Sequence, residues 1–233
     1  MFCLLARAQE TIARPSSDPV KPMRIGVIGA GSLGGTVGRV LVQAGHEVKF
    51  SSRHPGELGS ITRELGRRAS SGTAREAAEF GTVLLCAVLY DALPELGRDL
   101  QNAIRGKVVL DACNPLGGSE SALAREAMAN GVGPTSAKLL PGARLVRAFS
   151  AVDATAVETS FKGQSEKLGV PLAGDNSDSV QVAAQLVRDA GCQPVIVGNL
   201  AAAKSFQRAA ARVSARTQRR RNCAHLLGMK EGK

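Results

Sequence analysis

The stretch that decides the fold runs from Met23 to Val48 and reads MRIGVIGAGSLGGTVGRVLVQAGHEV. It opens with a short apolar run from Ile25 to Ile28, which indicates a buried strand. A glycine-rich segment follows at once, and Ser32 to Gln43 then carries apolar residues at helical spacing before Gly45 ends the helix. A strand, a glycine turn and an amphipathic helix in this order predict the start of a βαβ unit.

The glycine-rich segment has the pattern G-x-G-x-x-G, a weak signal alone and a specific one between a strand and a helix. The first glycine permits a tight turn, the second lets the backbone approach a pyrophosphate, and the third lets helix and strand pack closely. The free N-H groups at the helix N-terminus would hold the phosphates. We therefore predict that a dinucleotide binds at Gly29, Ala30, Gly31, Ser32, Leu33 and Gly34.

The end of the second predicted strand indicates which dinucleotide binds. An NAD enzyme offers Asp or Glu to the ribose hydroxyls about 20 residues after the glycines. The chain instead has Ser51, Ser52, Arg53 and His54. Hydroxyl groups and a guanidinium suit a 2′-phosphate, so NADP(H) is favoured over NAD(H). The alternative is that Arg53 is a solvated residue after a strand, and His54 either touches the cofactor or is simply exposed.

Alternating strand and helix patterns continue to about residue 203 and predict an α/β fold. We expect a Rossmann-type, doubly wound and mainly parallel sheet of about eight strands with helices on both faces. After the first, the strands are predicted at Glu47 to Ser51, near Ala69, and at Val83 to Leu89, Val108 to Ala112, Arg144 to Phe149, Val170 to Ala173 and Pro194 to Val197. The later helices are predicted at Leu58 to Leu65, Ala92 to Ile104, Glu120 to Ala129 and Ser179 to Ala190.

The nicotinamide half of the cofactor should lie at the carboxyl ends of the central strands, where a doubly wound sheet binds its ligands. The residues expected there lie at the end of the fourth strand and after the fifth, and are Ala87, Val88, Leu89, Asn114 and Pro115. Asn114 can hydrogen-bond a ribose or a carboxamide, but an Asn-Pro pair is also ordinary turn chemistry. Position alone leaves both interpretations open.

Composition excludes several classes of protein. The 233 residues are 44% hydrophobic, and no apolar run approaches the roughly 18 residues of a membrane span, so no membrane partner is expected. The five cysteines are odd in number and form no C-x-x-C pair, which argues against a zinc site or a disulfide framework and is typical of a cytoplasmic protein. Cys86 and Cys113 are either buried or near the cofactor, and His46 is interpreted as a solvated turn residue.

The net charge of +10 is concentrated at the C-terminus. Residues 204-233 hold nine Lys or Arg against one Glu, whereas the stretch 23-203 has a net charge of +1. We expect a disordered extension over 1-22, an NADP-binding domain over 23-203 and a basic, atypical tail over 204-233, with Met1 or Met23 as the start. Nucleic-acid binding by the tail is disfavoured, because no aromatic residues are interleaved to stack on bases.

With these pieces in place the chain resembles the family of deazaflavin (F420)-dependent NADP reductases, which includes the NADPH domain of the STEAP metalloreductases. The similar stretches are the one quoted above, SSRHP, VVLDACNPL, LLPGARLVRAFS, and VPLAGDNSDSVQVAAQLVRDAGCQPVIVGNLAAAKS. The resemblance implies that Ser52 and Arg53 bind the 2′-phosphate and that Ala148 and Phe149 approach the nicotinamide. It also implies hydride transfer between NADPH and F420 or a flavin, which requires no catalytic acid, base or metal from the protein.

Three features depart from the family pattern, namely Ser150 where many members have Asn, Glu57 near the place where a further basic residue often follows the Ser-Arg pair, and the Arg-rich tail. The first hypothesis is therefore an NADPH-dependent oxidoreductase whose partner is a small-molecule electron acceptor. The second is a module that binds or senses NADP(H) without catalysis. The sequence does not set the oligomeric state, and a homodimer is one assembly that it leaves open.

Overall fold

The structure, a computed structural model, describes residues 21-115 and 121-207. The predicted extension lies outside the described residues except for Lys21 and Pro22, and so does the predicted tail beyond Gln207. Eight strands form one sheet in the order β3-β2-β1-β4-β5-β6-β7-β8. The strands are β1 (Arg24–Ile28), β2 (Glu47–Ser51), β3 (Ala69–Gly72), β4 (Val83–Cys86), β5 (Val108–Asp111), β6 (Arg144–Arg147), β7 (Gly169–Gly174) and β8 (Gln193–Gly198).

The sheet is mainly parallel, as predicted. β1 to β6 all run the same way, whereas β7 pairs antiparallel with β6 and parallel with β8. The chain moves outward from β1 to β2 and β3, then returns to place β4 on the other side of β1. A switch point therefore lies between β1 and β4, and a ligand cleft forms at such a point outside the carboxyl ends of the strands.

Helices cover both faces of the sheet. The helices are α1 (Ser32–Gln43), α2 (Gly59–Leu65), α3 (Ala74–Phe80), α4 (Leu93–Asp99), α5 (Gln101–Ile104), α6 (Ala122–Asn130), α7 (Val132–Leu139), α8 (Ala154–Phe161) and α9 (Ser177–Asp189). Successive residues of β4 alternate between two core clusters, since Val83 and Leu85 pack with α1, α8 and α9, whereas Leu84 and Cys86 pack with α3 to α7. Burial on both faces explains why these strands are continuously apolar.

Two predicted strands are too long by more than one residue. The fourth ends at Cys86 instead of Leu89: the Ala87 N-H makes the last hydrogen bond to β1, at the carbonyl of Ile28 (2.9 Å), and the chain then bends at Val88 before a 3-10 turn begins at Tyr90. The sixth ends at Arg147 instead of Phe149, because Phe149 adopts a left-handed φ of 57° that no extended strand allows.

The predicted helix from Ala92 to Ile104 is two helices. The break lies at Leu100, whose backbone (φ −102°, ψ 4°) leaves the helical region between α4 and α5. Helices α3, α7 and α8 were not among those predicted. Beyond β8 a 3-10 segment, Leu200–Phe206, continues the ordered structure and buries Ala203 and Phe206.

Candidate functional site

The turn between β1 and α1 has the geometry that its glycines predict. Gly29 adopts a left-handed φ of 96°, and a Cβ at Gly34 would lie 2.1 Å from the carbonyl oxygen of Gly29. A Cβ at Gly31, in contrast, would meet nothing within 4 Å. Gly29 and Gly34 therefore serve the packing of the turn, whereas Gly31 keeps open the space in front of the helix.

Gly31 is also the N-cap of α1 and brings no side chain to its N-terminus. The first turn of α1 contains no acidic residue, so its N-H groups and the positive end of the helix dipole are suited to an anion. The N-H of Ala30 is already used, since it donates to the carbonyl of Ser51 (2.8 Å). That hydrogen bond joins the glycine turn to the end of β2.

A cavity of about 650 Å³ lies at the carboxyl ends of β1 to β4, in front of this turn. It brings together part of the predicted site, namely Gly29, Ala30, Gly31, Ser51, Ser52, Arg53, Val88 and Leu89. The remaining predicted residues are not among those lining it, namely Ser32, Leu33, Gly34, His54, Ala87, Asn114, Pro115 and Ala148. Sequence reasoning did not single out the other lining residues, which are Ile28, Pro55, Thr73, Ala74, Ala92, Glu95, Leu96 and Asp99.

The end of β2 forms one wall of the cavity. The hydroxyl of Ser51 is buried and donates to the carbonyl of Val27 (2.8 Å), so this residue supports the wall from behind. The hydroxyl oxygen of Ser52 accepts the N-H of His54 (3.1 Å) and keeps its own hydrogen for a ligand. Arg53 is exposed at the cavity. This wall thus presents one hydroxyl and one guanidinium and no carboxylate.

One face of the segment from Ala92 to Asp99 lines the cavity as well, with Leu96 and Glu95 between them. These residues recur at the three- and four-residue spacing of a helix, which was the sequence signal for this wall. Thr73 closes the β3 side, where it caps α3 through a capping box with Glu76. The T-x-x-E pattern after a strand was the signal for that second border.

The predicted nicotinamide end is occupied by a buried polar network. Arg147 donates from Nη1 to Asp111 Oδ2 (2.7 Å) and to the carbonyl of Cys113 (2.6 Å), and from Nη2 to Asn114 Oδ1 (2.8 Å). Asn114 in turn donates from Nδ2 to the carbonyl of Ser150 (2.6 Å). Ala148 is fully buried beside this network, and its N-H donates to the carbonyl of Asp111 (3.2 Å).

Sequence reasoning missed Asp111 and Arg147. The available signal was a charged residue at the carboxyl end of each of two neighbouring strands, and the register pairs these two residues directly. A buried charge is seldom tolerated without a partner, so two such residues in neighbouring strands predict each other.

The thiols of Cys86 and Cys113 are both buried. Of the two interpretations given for them in the sequence analysis, this favours buried residues of the core. Cys113 Sγ lies 3.6 Å from Cys86 Sγ. Its hydrogen bond to Cys86 and its burial raise the pKa of the Cys113 thiol well above its ordinary value. Tyr90 is likewise buried, which raises its pKa to about 12, and its hydroxyl donates to the carbonyl of Val132 (3.4 Å).

The interpretation of His46 as a solvated turn residue is wrong. Its side chain is fully buried, its Nδ1 accepts the N-H of Met23 (3.2 Å), and its Nε2 lies 3.1 Å from Asp189 Oδ2. The imidazole thus ties the start of β1 to the end of α9. Burial lowers the pKa of His46 more than the Asp189 carboxylate raises it.

Within residues 21-115 and 121-207, no three His, Cys, Asp or Glu side chains are grouped as metal ligands would be. Over the same residues, no helix combines the length and the apolar character needed to cross a bilayer.

Residues 24-115 match the model of the family described as NADP oxidoreductase, coenzyme F420-dependent. The metalloreductase STEAP3 of Rattus norvegicus is 24% identical over 189 residues, which are 81% of this chain and 36% of the metalloreductase. The chain therefore spans about a third of the length of this relative.

Two solved structures share the fold over most of their length. A hypothetical protein from Sinorhizobium meliloti has a TM-score of 0.69 at 25% identity, over 84% of this chain and 94% of that one. A protein described as a putative F420-dependent NADP reductase from Arthrobacter sp. has a TM-score of 0.67 at 20% identity, over 78% and 87%. The resemblance drawn from the sequence is confirmed, and the matched family is one of NADP-dependent oxidoreductases.

Proposed function

We propose that this chain, whose residues 24-115 match the F420-dependent NADP oxidoreductases, transfers hydride between NADPH and a deazaflavin (F420) or flavin-like acceptor. The observation that carries the proposal is the cavity that combines an open glycine turn at the N-terminus of α1 with Ser52 and Arg53. Both ends of an adenosine 2′-phosphate pyrophosphate find complementary groups there: helix N-H groups for the pyrophosphate, and a hydroxyl with a guanidinium for the 2′-phosphate.

The described residues fit NADP(H) better than NAD(H). A bidentate carboxylate for the 2′- and 3′-hydroxyls would have to come from the end of β2, and the residues there are Ser51, Ser52, Arg53 and His54. The open space at Gly31 is where the backbone must approach the pyrophosphate, since a side chain at that position would fill it.

In this proposal the protein acts by binding and orientation. The glycine turn and the β2 wall anchor the adenosine half, and the strand ends of β4, β5 and β6 set where the nicotinamide half lies. When bound, NADPH would supply the hydride, and the proton that the reduced acceptor takes up would come from solvent, so no proton-transferring side chain is required. Holding donor and acceptor in contact distance is then the main contribution of the chain to the rate.

The experiment measures the steady-state oxidation of NADPH by the purified chain with F420, FMN or a ferric chelate as acceptor. The loss of NADPH absorbance gives the rate. The proposal expects turnover with F420 or the flavin, and slower turnover when NADH replaces NADPH. Tight NADPH binding without turnover on any of these acceptors would refute the oxidoreductase proposal and support a module that only binds the cofactor.

A further inference from the structure

Arg147 and Asp111 form a buried ion pair at the carboxyl edge of the sheet. Their side chains are 1% and 0% exposed, and Nη1 and Oδ2 are 2.7 Å apart. A buried pair of this kind contributes little net stability, because the desolvation of both charges offsets their attraction. Apolar side chains of similar volume would serve the core at least as well, so stability alone does not account for the pair.

The guanidinium joins two loops that follow neighbouring strands. It binds the Cys113 carbonyl and the Asn114 amide oxygen after β5, and Asn114 then binds the Ser150 carbonyl after β6. A lysine could not make these contacts together, since only the planar fork of arginine directs several N-H groups to fixed acceptors. The position therefore requires the geometry of arginine as well as its charge.

The loop after β6 carries backbone strain at the point that this network holds. Phe149 is the one non-glycine residue with a positive φ (57°) that the described parts of the chain contain. Such a conformation is strained for a residue with a side chain and persists only where the surroundings impose it, which is typical of ligand sites. The hydrogen bond from Asn114 to the carbonyl of Ser150, the residue after Phe149, is one such constraint.

Two buried polar atoms remain without a partner in the same place. Arg147 Nε and Ser150 Oγ have no hydrogen bond, although both residues are almost fully buried. Native proteins pair nearly all such atoms, so unpaired ones at one location indicate a partner that binds there or a site kept polar for function. Both atoms lie where β5 and β6 end, next to the β4 end that borders the cofactor cavity.

We propose that Arg147 is a positioning residue for the nicotinamide half of the cofactor. Its buried guanidinium fixes Cys113 and Asn114, which follow β5, against Ser150, which follows β6, and these residues support the surface on which the nicotinamide lies. This inference rests on the proposed function, because it takes NADP(H) as the ligand. It assigns no direct contact with the cofactor to Arg147, which acts through Asn114 and the backbone of Ser150.

The test compares two ligands, of which only one carries the nicotinamide half of the cofactor. The ligand 2′,5′-ADP occupies the adenosine and 2′-phosphate part alone, whereas NADPH also uses the strand ends of β5 and β6. The variants are Arg147→Lys, which keeps the charge without the fork, and the double variant Asp111→Asn with Arg147→Met, which removes both charges and avoids an unpaired buried one. Affinities for both ligands, the emission of bound NADPH and the melting temperature are measured for each variant that folds.

A matched control comes from the other edge of the sheet. The buried contact of His46 with Asp189 lies beside the amino end of β1, since His46 also binds the N-H of Met23. Asp189→Asn disturbs a buried polar pair there and should lower the melting temperature without changing the relative affinity for the two ligands.

We expect the dissociation constant for NADPH to rise about tenfold in both Arg147 variants, the effect of roughly one lost hydrogen bond. The constant for 2′,5′-ADP should stay within about twofold, and the emission of bound NADPH should move toward that of free NADPH. An unchanged NADPH to 2′,5′-ADP affinity ratio in either folded variant, or an equal change in Asp189→Asn, would overturn the proposal. Failure of the proposed function is a separate result, read from the unmodified chain: NADPH is bound but is not oxidised by F420, FMN or a ferric chelate.

Discussion

Replacing two glycines of the same turn by alanine should have opposite consequences. In Gly34→Ala the new Cβ would lie 2.1 Å from the carbonyl oxygen of Gly29 and 3.1 Å from Ala87 Cβ. In Gly31→Ala the new Cβ would meet no protein atom within 4 Å, and the backbone of Gly31 (φ −72°, ψ −166°) is one that alanine adopts. The first change should therefore harm the fold, and the second should harm only the binding of the cofactor.

The expected sizes follow from these distances. Ordinary contact begins at 3.4 Å, so in Gly34→Ala the β1-α1 turn must open by about 1.3 Å against a backbone atom, which cannot rotate away. Overpacking of this kind costs about 1-3 kcal/mol, and a chain of this size loses about 2-4 °C in melting temperature per kcal/mol, hence a fall of about 2-12 °C. Gly31→Ala loses only a favourable N-cap residue, about 1 kcal/mol or less, but its methyl group occupies the approach to the pyrophosphate.

Thermal unfolding and a fluorescence titration with NADPH, run on both variants, check this reasoning. Gly31→Ala should melt within about 4 °C of the unmodified chain and bind NADPH at least tenfold more weakly, a loss of at least about 1.4 kcal/mol. NADPH binding by Gly31→Ala at the original affinity would refute the account of the glycine turn. Equal melting temperatures for Gly34→Ala and the unmodified chain would refute its packing role.

Three further predictions concern other parts of the site and the core. Arg53→Gln should weaken NADPH binding about tenfold at low salt and leave NADH binding unchanged, because the guanidinium is expected to contact the 2′-phosphate, which NADH lacks; an equal loss for both would contradict this. Burial lowers the pKa of His46 and favours the neutral imidazole in the folded state, so the contribution of this residue to the free energy of unfolding is fully present above the ordinary histidine pKa of 6.5 and is lost as the pH falls below it. In His46→Gln the melting temperature should therefore depend less on pH between about 7 and 5. An unaltered dependence would contradict this. Cys86, Cys113 and Cys192 are buried, so in a variant whose Cys3 and Cys223 are replaced by Ser a thiol reagent should label no cysteine in the native chain and three after unfolding. Rapid labelling of the native chain would show that these thiols are not buried.

The first βαβ unit could be predicted almost to the residue, since its signals are local. α1 begins at Ser32 and ends at Gln43, and β2 runs from Glu47 to Ser51, as the periodicity and the glycines indicate. The fourth strand was extended to Leu89 because an apolar run does not show where a strand leaves the sheet. Leu89 is in fact 78% exposed beside the cavity.

What the sequence could not supply depends on contacts between distant residues. His46 follows a helix-ending glycine and has the local signature of a surface turn, yet Asp189, 143 residues later, meets it in the core. The same holds for Arg147, whose partners lie more than 30 residues earlier. The cavity wall on α4 was missed because a helical pattern does not show which face of the helix borders a cavity.

The central claim is that the carboxyl edge of β1 to β4 binds NADP(H) and selects it by its 2′-phosphate. Its most direct test is a titration of the unmodified chain with NADPH and with NADH under the same conditions. Binding is measured by the quenching or enhancement of nicotinamide fluorescence. The account predicts that NADPH binds at least about tenfold more tightly and that the difference shrinks as salt screens the phosphate. Equal affinity for the two cofactors, or tighter binding of NADH, would contradict it.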